Sequence, residues 1–205
     1  MEAYITVAIV AYVIGSINFA VIFSRKFAGF DVREKGSKNA GTTNVLRTVG
    51  KRVALLTLVC DILKGVVAIL VAILAEYMWE GLDITTLKYI AGFMVILGHT
   101  FPIFFEFRGG KGVATAIGVL LMLNWKIGLI CLVFGLLIIA LTKMVSLGSV
   151  LAAILFPILI IFLQENVTFI GIVFSFLIAI LVIFNHRSNL KRIKEGKESK
   201  ISFKK

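Results

Sequence analysis

Apolar positions in this chain follow neither a period of two nor a single helical stripe; they run on uninterrupted. Residues 3–24 carry no charged side chain, and residues 53–75 carry only Asp61 and Lys64. Further charge-free runs lie at 89–105, 112–125, 127–142, 144–164 and 166–186. A helix needs about 20 apolar residues to cross the hydrocarbon of a bilayer. The pattern therefore predicts an all-α polytopic membrane protein with seven transmembrane helices, at roughly 3–24, 53–75, 85–105, 112–124, 127–142, 147–164 and 167–186. A basic tail over 187–205 completes a single integral-membrane domain, 1–205. The stretch 112–142 reads either as one long tilted helix or as two short ones turning at Asn124-Trp125-Lys126.

Charge decides between these readings. With seven spans and the N-terminus outside, 19 of the 22 Lys and Arg residues fall in the cytoplasmic loops and the tail. With six spans the basic tail moves outside, against the positive-inside rule. Seven spans, an outer N-terminus and a cytoplasmic C-terminus are the expectation. The fourth helix is short for a full crossing. The first run is not a cleavable signal peptide: Glu2 precedes it where a basic region belongs, and no small-residue cleavage site follows.

Composition agrees with the pattern. Of 205 residues, 60% are hydrophobic and 16% charged, against roughly 45–50% and 25% in soluble domains. The net charge of +11 would suggest nucleic acid in a soluble protein; here it marks sidedness, and anionic lipid is the implied contact. Cys60 and Cys131 lie inside spans and read as small buried hydrophobes.

The polar residues collect on the inner face. The first inner loop contains Gly36-Ser37-Lys38-Asn39-Ala40-Gly41-Thr42-Thr43-Asn44-Val45-Leu46-Arg47. Glycines, hydroxyls and amides with one Arg make an anion cradle. The second inner loop, Arg108-Gly109-Gly110-Lys111-Gly112, feeds a helix start and offers backbone amides and an ammonium. It lacks the spacing of an ATP-binding loop. Asp61 and Lys64 share a helix face within the second span. They read either as a structural ion pair or as a Lys64 that reaches the site while Asp61 holds it. His99 stands about two turns inside the third helix, and His186 closes the seventh, just before Asn189. Ser146 and Ser149 open the sixth helix. No carboxylate or cysteine cluster has metal-ligand spacing. The face is built to hold phosphates without a metal or another cofactor.

These segments resemble the acyl-phosphate:glycerol-3-phosphate acyltransferases of bacterial phospholipid synthesis over nearly the whole chain. The carriers are the first-loop motif from Gly36 to Arg47, Asp61-Ile62-Leu63-Lys64-Gly65, Gly98-His99-Thr100-Phe101-Pro102, Gly109-Gly110-Lys111-Gly112-Val113-Ala114-Thr115, Ser146-Leu147-Gly148-Ser149, and His186-Arg187-Ser188-Asn189 ahead of Gly196-Lys197-Glu198. Lys38 departs from the small residue common at its position, and Met144 from a frequent Tyr. The resemblance implies acyl transfer from acyl phosphate to the 1-hydroxyl of glycerol 3-phosphate, giving lysophosphatidate and phosphate. It implies a multi-pass plasma-membrane enzyme whose site faces the cytoplasm. The partners are the two substrates and membrane lipid, with no nucleic acid and no obligate protein. Ser37, Arg47, Lys111 and His186 are the expected catalytic residues. Asn39, Thr43, Asn44, Lys64, His99, Gly109, Gly110, Ser146, Ser149 and Asn189 are the expected substrate contacts. The alternative is a small transporter of phosphorylated metabolites, whose site would lie near the midplane; clustering of the donors at one face counts against it.

Overall fold

A computed structural model describes residues 1–201, which are mostly helical. The chain forms two compact units, Met1–Leu123 and the remainder from Asn124. The first unit contains α1 (Glu2–Gly15), α2 (Phe19–Ala28), α3 (Thr42–Thr48), α4 (Lys51–Met78), α5 (Ile84–Thr100) and α6 (Val113–Leu123). The second contains α7 (Trp125–Thr142), α8 (Val145–Leu163), α9 (Phe169–Asn185) and α10 (Arg187–Lys194).

Several boundaries differ from the expected ones, each for a local reason. The run 3–24 is two helices: α1 stops at Gly15, and Asn18 opens α2 by accepting the Val21 N–H at 3.2 Å. The third helix ends at Thr100 instead of 105, because the residue before a proline is pushed out of the helical region, and Phe101 precedes Pro102 at φ −123°. The tail begins with a helix, α10, bent 58° from α9. The stretch 112–142 does divide at Asn124, whose side chain accepts from the backbone of Lys126 and Ile127 and so caps α7.

Among the described residues, five segments are long and apolar enough to cross a membrane, or six if α9 and α10 count as one bent span. With 11 residues, α6 is about 16 Å long, near half of a ~30 Å hydrocarbon core. The outward faces of the long helices carry exposed Leu, Ile, Val and Phe, among them Leu74, Leu141 and Phe162. A chain with this surface is solvated by lipid, not by water.

Apolar side chains gain little by leaving lipid for protein, so membrane helices associate through close packing around small residues. In the first unit α1 meets α5 through Gly15 and Gly98, and α4 meets α6 through Gly65 and Gly118. A Cβ on Gly98 would strike the Tyr12 carbonyl, and one on Gly118 the Ile62 carbonyl. Gly118→Leu should therefore lower stability by about 1–3 kcal/mol or more, the usual cost of overpacking, read as a lower thermal midpoint in detergent. An unchanged midpoint would show that α4 and α6 do not pack through this contact.

Candidate active site

The break between α1 and α2 exposes backbone carbonyls inside the first unit. Lys64, on α4, satisfies them: its Nζ donates to the Gly15 carbonyl at 3.1 Å and the Ile17 carbonyl at 3.0 Å. The third ammonium hydrogen points to His99 Nδ1 at 2.8 Å. A lysine has three donors and no acceptor, so the set is spent. Asp61 supplies the counter-charge, with Oδ1 2.9 Å from Nζ as an ion pair that is not aligned as a hydrogen bond. Asp61, Lys64 and His99 are all buried. Because an ammonium only donates, His99 Nδ1 must accept, and the hydrogen of the neutral ring sits on Nε2. That nitrogen faces Gly110, where any Cβ would collide with it.

The second loop folds back on the end of α5. The Gly109 N–H donates to the Thr100 carbonyl and the Gly110 N–H to the His99 carbonyl, both at 3.1 Å. These glycines are steric requirements, since a side chain at either would strike His99. Gly112, at φ +81°, then turns the chain into α6 and leaves Lys111 half-buried between.

The first loop is organised by a buried Asn44. Its amide donates to the carbonyls of Val32, Lys35 and Asn39 at 2.9, 3.0 and 3.1 Å, and its Oδ1 accepts the Ser37 N–H at 2.9 Å. The loop wrapped around it turns Ser37 and Lys38 outward, with Asn39 and Thr43 half-buried and Arg47 exposed on α3. Lys38 adopts φ +58°, a left-handed conformation that costs an L residue roughly 1–2 kcal/mol. Arg33 ties the two loops together. Its guanidinium forks onto Asp31 at 2.9–3.2 Å and donates to the Phe105 carbonyl at 2.8 Å. Burial alone would raise the Asp31 pKa, but hydrogen bonds from Arg33 and Arg25 outweigh it and hold the carboxyl at about 2.

In the second unit the polar residues meet at Glu198. Its Oε1 accepts the Ser146 hydroxyl at 2.8 Å and the Asn189 amide at 2.7 Å, and its Oε2 accepts Arg192 Nε at 2.8 Å. The chain delivers Glu198 there by a Schellman turn at the end of α10. Gly196, at φ +68°, donates to the Ile193 carbonyl, and Lys197 donates to the Arg192 carbonyl. The Ile201 N–H then binds the Lys143 carbonyl at 2.8 Å, pinning the tail beside the start of α8. Burial would raise the Glu198 pKa, but the bonds from Asn189, Ser146 and Arg192 outweigh it, so the carboxyl lies below its ordinary value. His186, at the bend between α9 and α10, places Nδ1 2.8 Å from the Val182 carbonyl. A carbonyl only accepts, so the neutral ring carries its hydrogen on Nδ1 and its lone pair on Nε2.

The glycerol-3-phosphate acyltransferase family model matches residues 5–196. The chain belongs to this family. Over 203 residues it is 43% identical to the glycerol-3-phosphate acyltransferase of Clostridioides difficile (strain 630), covering 99% of this chain and 98% of the relative. It is 44% identical to that of Thermoanaerobacter sp. (strain X514) over 204 residues, covering 100% and 98% of the two chains. Among solved structures it is similar to PlsY (YgiH), an integral membrane glycerol 3-phosphate acyltransferase. The glycerol 3-phosphate form superposes with a TM-score of 0.87 at 32% identity, covering 97% of this chain and 96% of that one. The lysophosphatidic acid form gives 0.84 at 30%, covering 97% and 95%. This is an all-helical, multi-pass integral membrane enzyme of that family.

Several expected substrate contacts are occupied within the protein. Lys64 does not reach outward, because its three hydrogens serve the helix break and His99. His99 is buried at the penultimate position of α5, not two turns inside a longer helix, and its ring is enclosed by Lys64 and Gly110. Asn44 spends its amide on the first loop. The amide hydrogens of Gly109 and Gly110 are committed to α5, so they are not open to an anion. Ser149 donates to the Val145 carbonyl of its own helix at 2.9 Å. Sequence reasoning passed over Glu198, which it met only as part of a motif; the Gly196 reversal two residues earlier was the available signal.

Lys64→Met leaves Asp61 buried without its counter-charge, which should cost about 3–5 kcal/mol. The double variant Asp61→Asn/Lys64→Met should cost markedly less. Thermal unfolding of both in detergent checks this; equal losses would show that the pair is not coupled.

Proposed function

We propose that this chain transfers a fatty acyl group from an acyl phosphate to the 1-hydroxyl of sn-glycerol 3-phosphate, giving lysophosphatidate and inorganic phosphate. The observation that carries the reading is the near full-length likeness to an acyltransferase solved in glycerol 3-phosphate and lysophosphatidic acid forms. These are the acceptor and the product of this reaction. The acyl phosphate donor rests on the first-loop motif and the Gly109-Gly110-Lys111 segment.

The chemistry is balanced without a cofactor. The acceptor hydroxyl oxygen attacks the acyl carbonyl carbon, the carbon–oxygen bond to phosphate breaks, and phosphate leaves with that electron pair. A phosphate is a good leaving group, so positioning and charge stabilisation are the main demands on the protein. Ser37, Asn39 and Lys111 are the proposed donors to the acyl phosphate, with Thr43 beside them in the loop. Arg47, His186 and Asn189 are the proposed grips on glycerol 3-phosphate. Asn44, Lys64, His99, Gly109 and Gly110 support them by shaping the loops. The hydroxyl proton goes to a substrate phosphate oxygen, whose second pKa lies near 6.

The proposed topology is seven crossings with the N-terminus outside. The broken pair α1–α2 counts as one and α6 as a short one, and the site faces the cytoplasm of the cell membrane. Support comes from charge: this arrangement leaves 19 of 22 basic residues on one side.

Purified protein in detergent should convert palmitoyl phosphate and glycerol 3-phosphate to equal amounts of lysophosphatidate and phosphate, and palmitoyl-CoA should not replace the donor. No turnover, with uptake of labelled glycerol 3-phosphate into liposomes instead, would favour transport. For the proton acceptor, His186→Gln should lower kcat by less than about 10³-fold. A larger loss at unchanged KM would sink substrate-assisted proton transfer in favour of a histidine base.

A further inference from the structure

The outer side of α9 and α10 carries a feature that the acyl-transfer chemistry does not use. Val173, Phe176, Ile180 and Phe184 are exposed on α9 at helical spacing, so they form one apolar ridge. The ridge is about 16 Å long, near half of a ~30 Å hydrocarbon core. The charge-free run ends at His186, and Arg187 caps the ridge. Its Nη1 donates to the Phe184 carbonyl at 3.0 Å, and its guanidinium lies 4.3 Å from the centre of the Phe184 ring. Four of its five N–H donors are left, in a planar fork that matches two phosphate oxygens. Lys191 and Lys194 follow one and two turns further along α10, exposed like Arg187, while Leu190 and Ile193 are half-buried. The acids of this segment are spent elsewhere: Glu195 pairs with Lys197 at 3.6 Å and Glu198 with Arg192 at 2.8 Å. Among the described residues, no ion pair holds Arg187, Lys191 or Lys194.

We propose that this ridge and basic stripe form a binding site for one anionic phospholipid. Its acyl chains lie along Val173, Phe176, Ile180 and Phe184. Its phosphodiester sits on the Arg187 guanidinium, and Lys191 and Lys194 select a headgroup with net negative charge. A zwitterionic lipid fits the ridge and Arg187 equally well, but its own cation meets the two ammonium groups, which disfavours it. The net charge of the chain implies only a diffuse attraction to anionic lipid; the stacked Arg187 and the unpaired lysines place that attraction at one helix. The site is independent of the acyltransferase reading, since it needs only that α9 lies in a bilayer.

The full chain, reconstituted in phosphatidylcholine vesicles, is tested with chain-spin-labelled phosphatidylglycerol and phosphatidylcholine. The fraction of each label immobilised by the protein gives their relative association. The wild type should favour phosphatidylglycerol by about fivefold at low salt, the attraction of one basic side chain near a charged headgroup. High salt should weaken the preference. In Arg187→Gln/Lys191→Gln/Lys194→Gln it should fall to within about twofold. Lys26→Gln/Lys35→Gln/Arg52→Gln removes the same charge from exposed positions of the first unit and should keep most of it. If the first triple variant does not fold, Lys191→Gln/Lys194→Gln, on exposed side chains alone, should still show a partial loss. Equal association of the two lipids with the wild type overturns the proposal and leaves the stripe to an acidic protein surface. A preference unchanged in the α10 variants also overturns it. So does an equal loss in the first-unit variant, which would mark a diffuse charge effect.

Discussion

A backbone carbonyl released by a helix break has no water to turn to inside an apolar bundle, so the protein itself must supply a donor. Between α1 and α2 that donor is the Lys64 ammonium, bonded to Gly15 and Ile17. Burying the charge is costly unless it is paired, which calls for Asp61 one helical turn away. The third hydrogen recruits His99, and His99 in turn offers the carbonyl and ring against which Gly109 and Gly110 pack. One buried cation thus sets the path of the first span and the approach to Lys111. The most polar residues inside the span are spent on the helix break and on each other.

The second unit answers an equivalent problem with the opposite charge. Ser146, Asn189 and Arg192 converge their hydrogens on one carboxylate at the end of a helical reversal. In both units a central ion consumes donors that would otherwise be counted as ligand contacts. The donors proposed for phosphate come from the outward side of the first loop, from Lys111 and Arg47, and from His186 and Asn189. A site that handles two phosphates can use a short list of outward donors if the rest of its polar residues hold the loops rigid.

Much of the architecture was legible because hydropathy acts locally. The runs at 53–75, 127–142 and 147–164 became α4, α7 and α8, and Asn124 marked its turn through a capping preference that needs no tertiary partner. The break at Ser16–Asn18 was not legible: residues 3–24 are evenly apolar, and the residue that makes the break tolerable lies on another helix. The early end of α5 could have been read from Pro102. The motifs marked the loops only as segments. They did not separate Ser37, which faces outward, from Asn44, which faces in, because amide and hydroxyl side chains serve ligand and backbone equally well.

The sequence by itself determined that this chain is helical and lies in a membrane, and it determined the family to which the chain belongs. Length, hydropathy and motif order are properties of each segment taken alone, and the bilayer selects segments on those properties. Tertiary structure decided which polar residues still have hydrogens to give. The user of a hydrogen is set by residues far away in the chain: Lys64 by Gly15, Ile17 and His99, and Ser146 by Glu198. No reading along the chain could allocate those donors, because the acceptors that claim them are brought near only by folding.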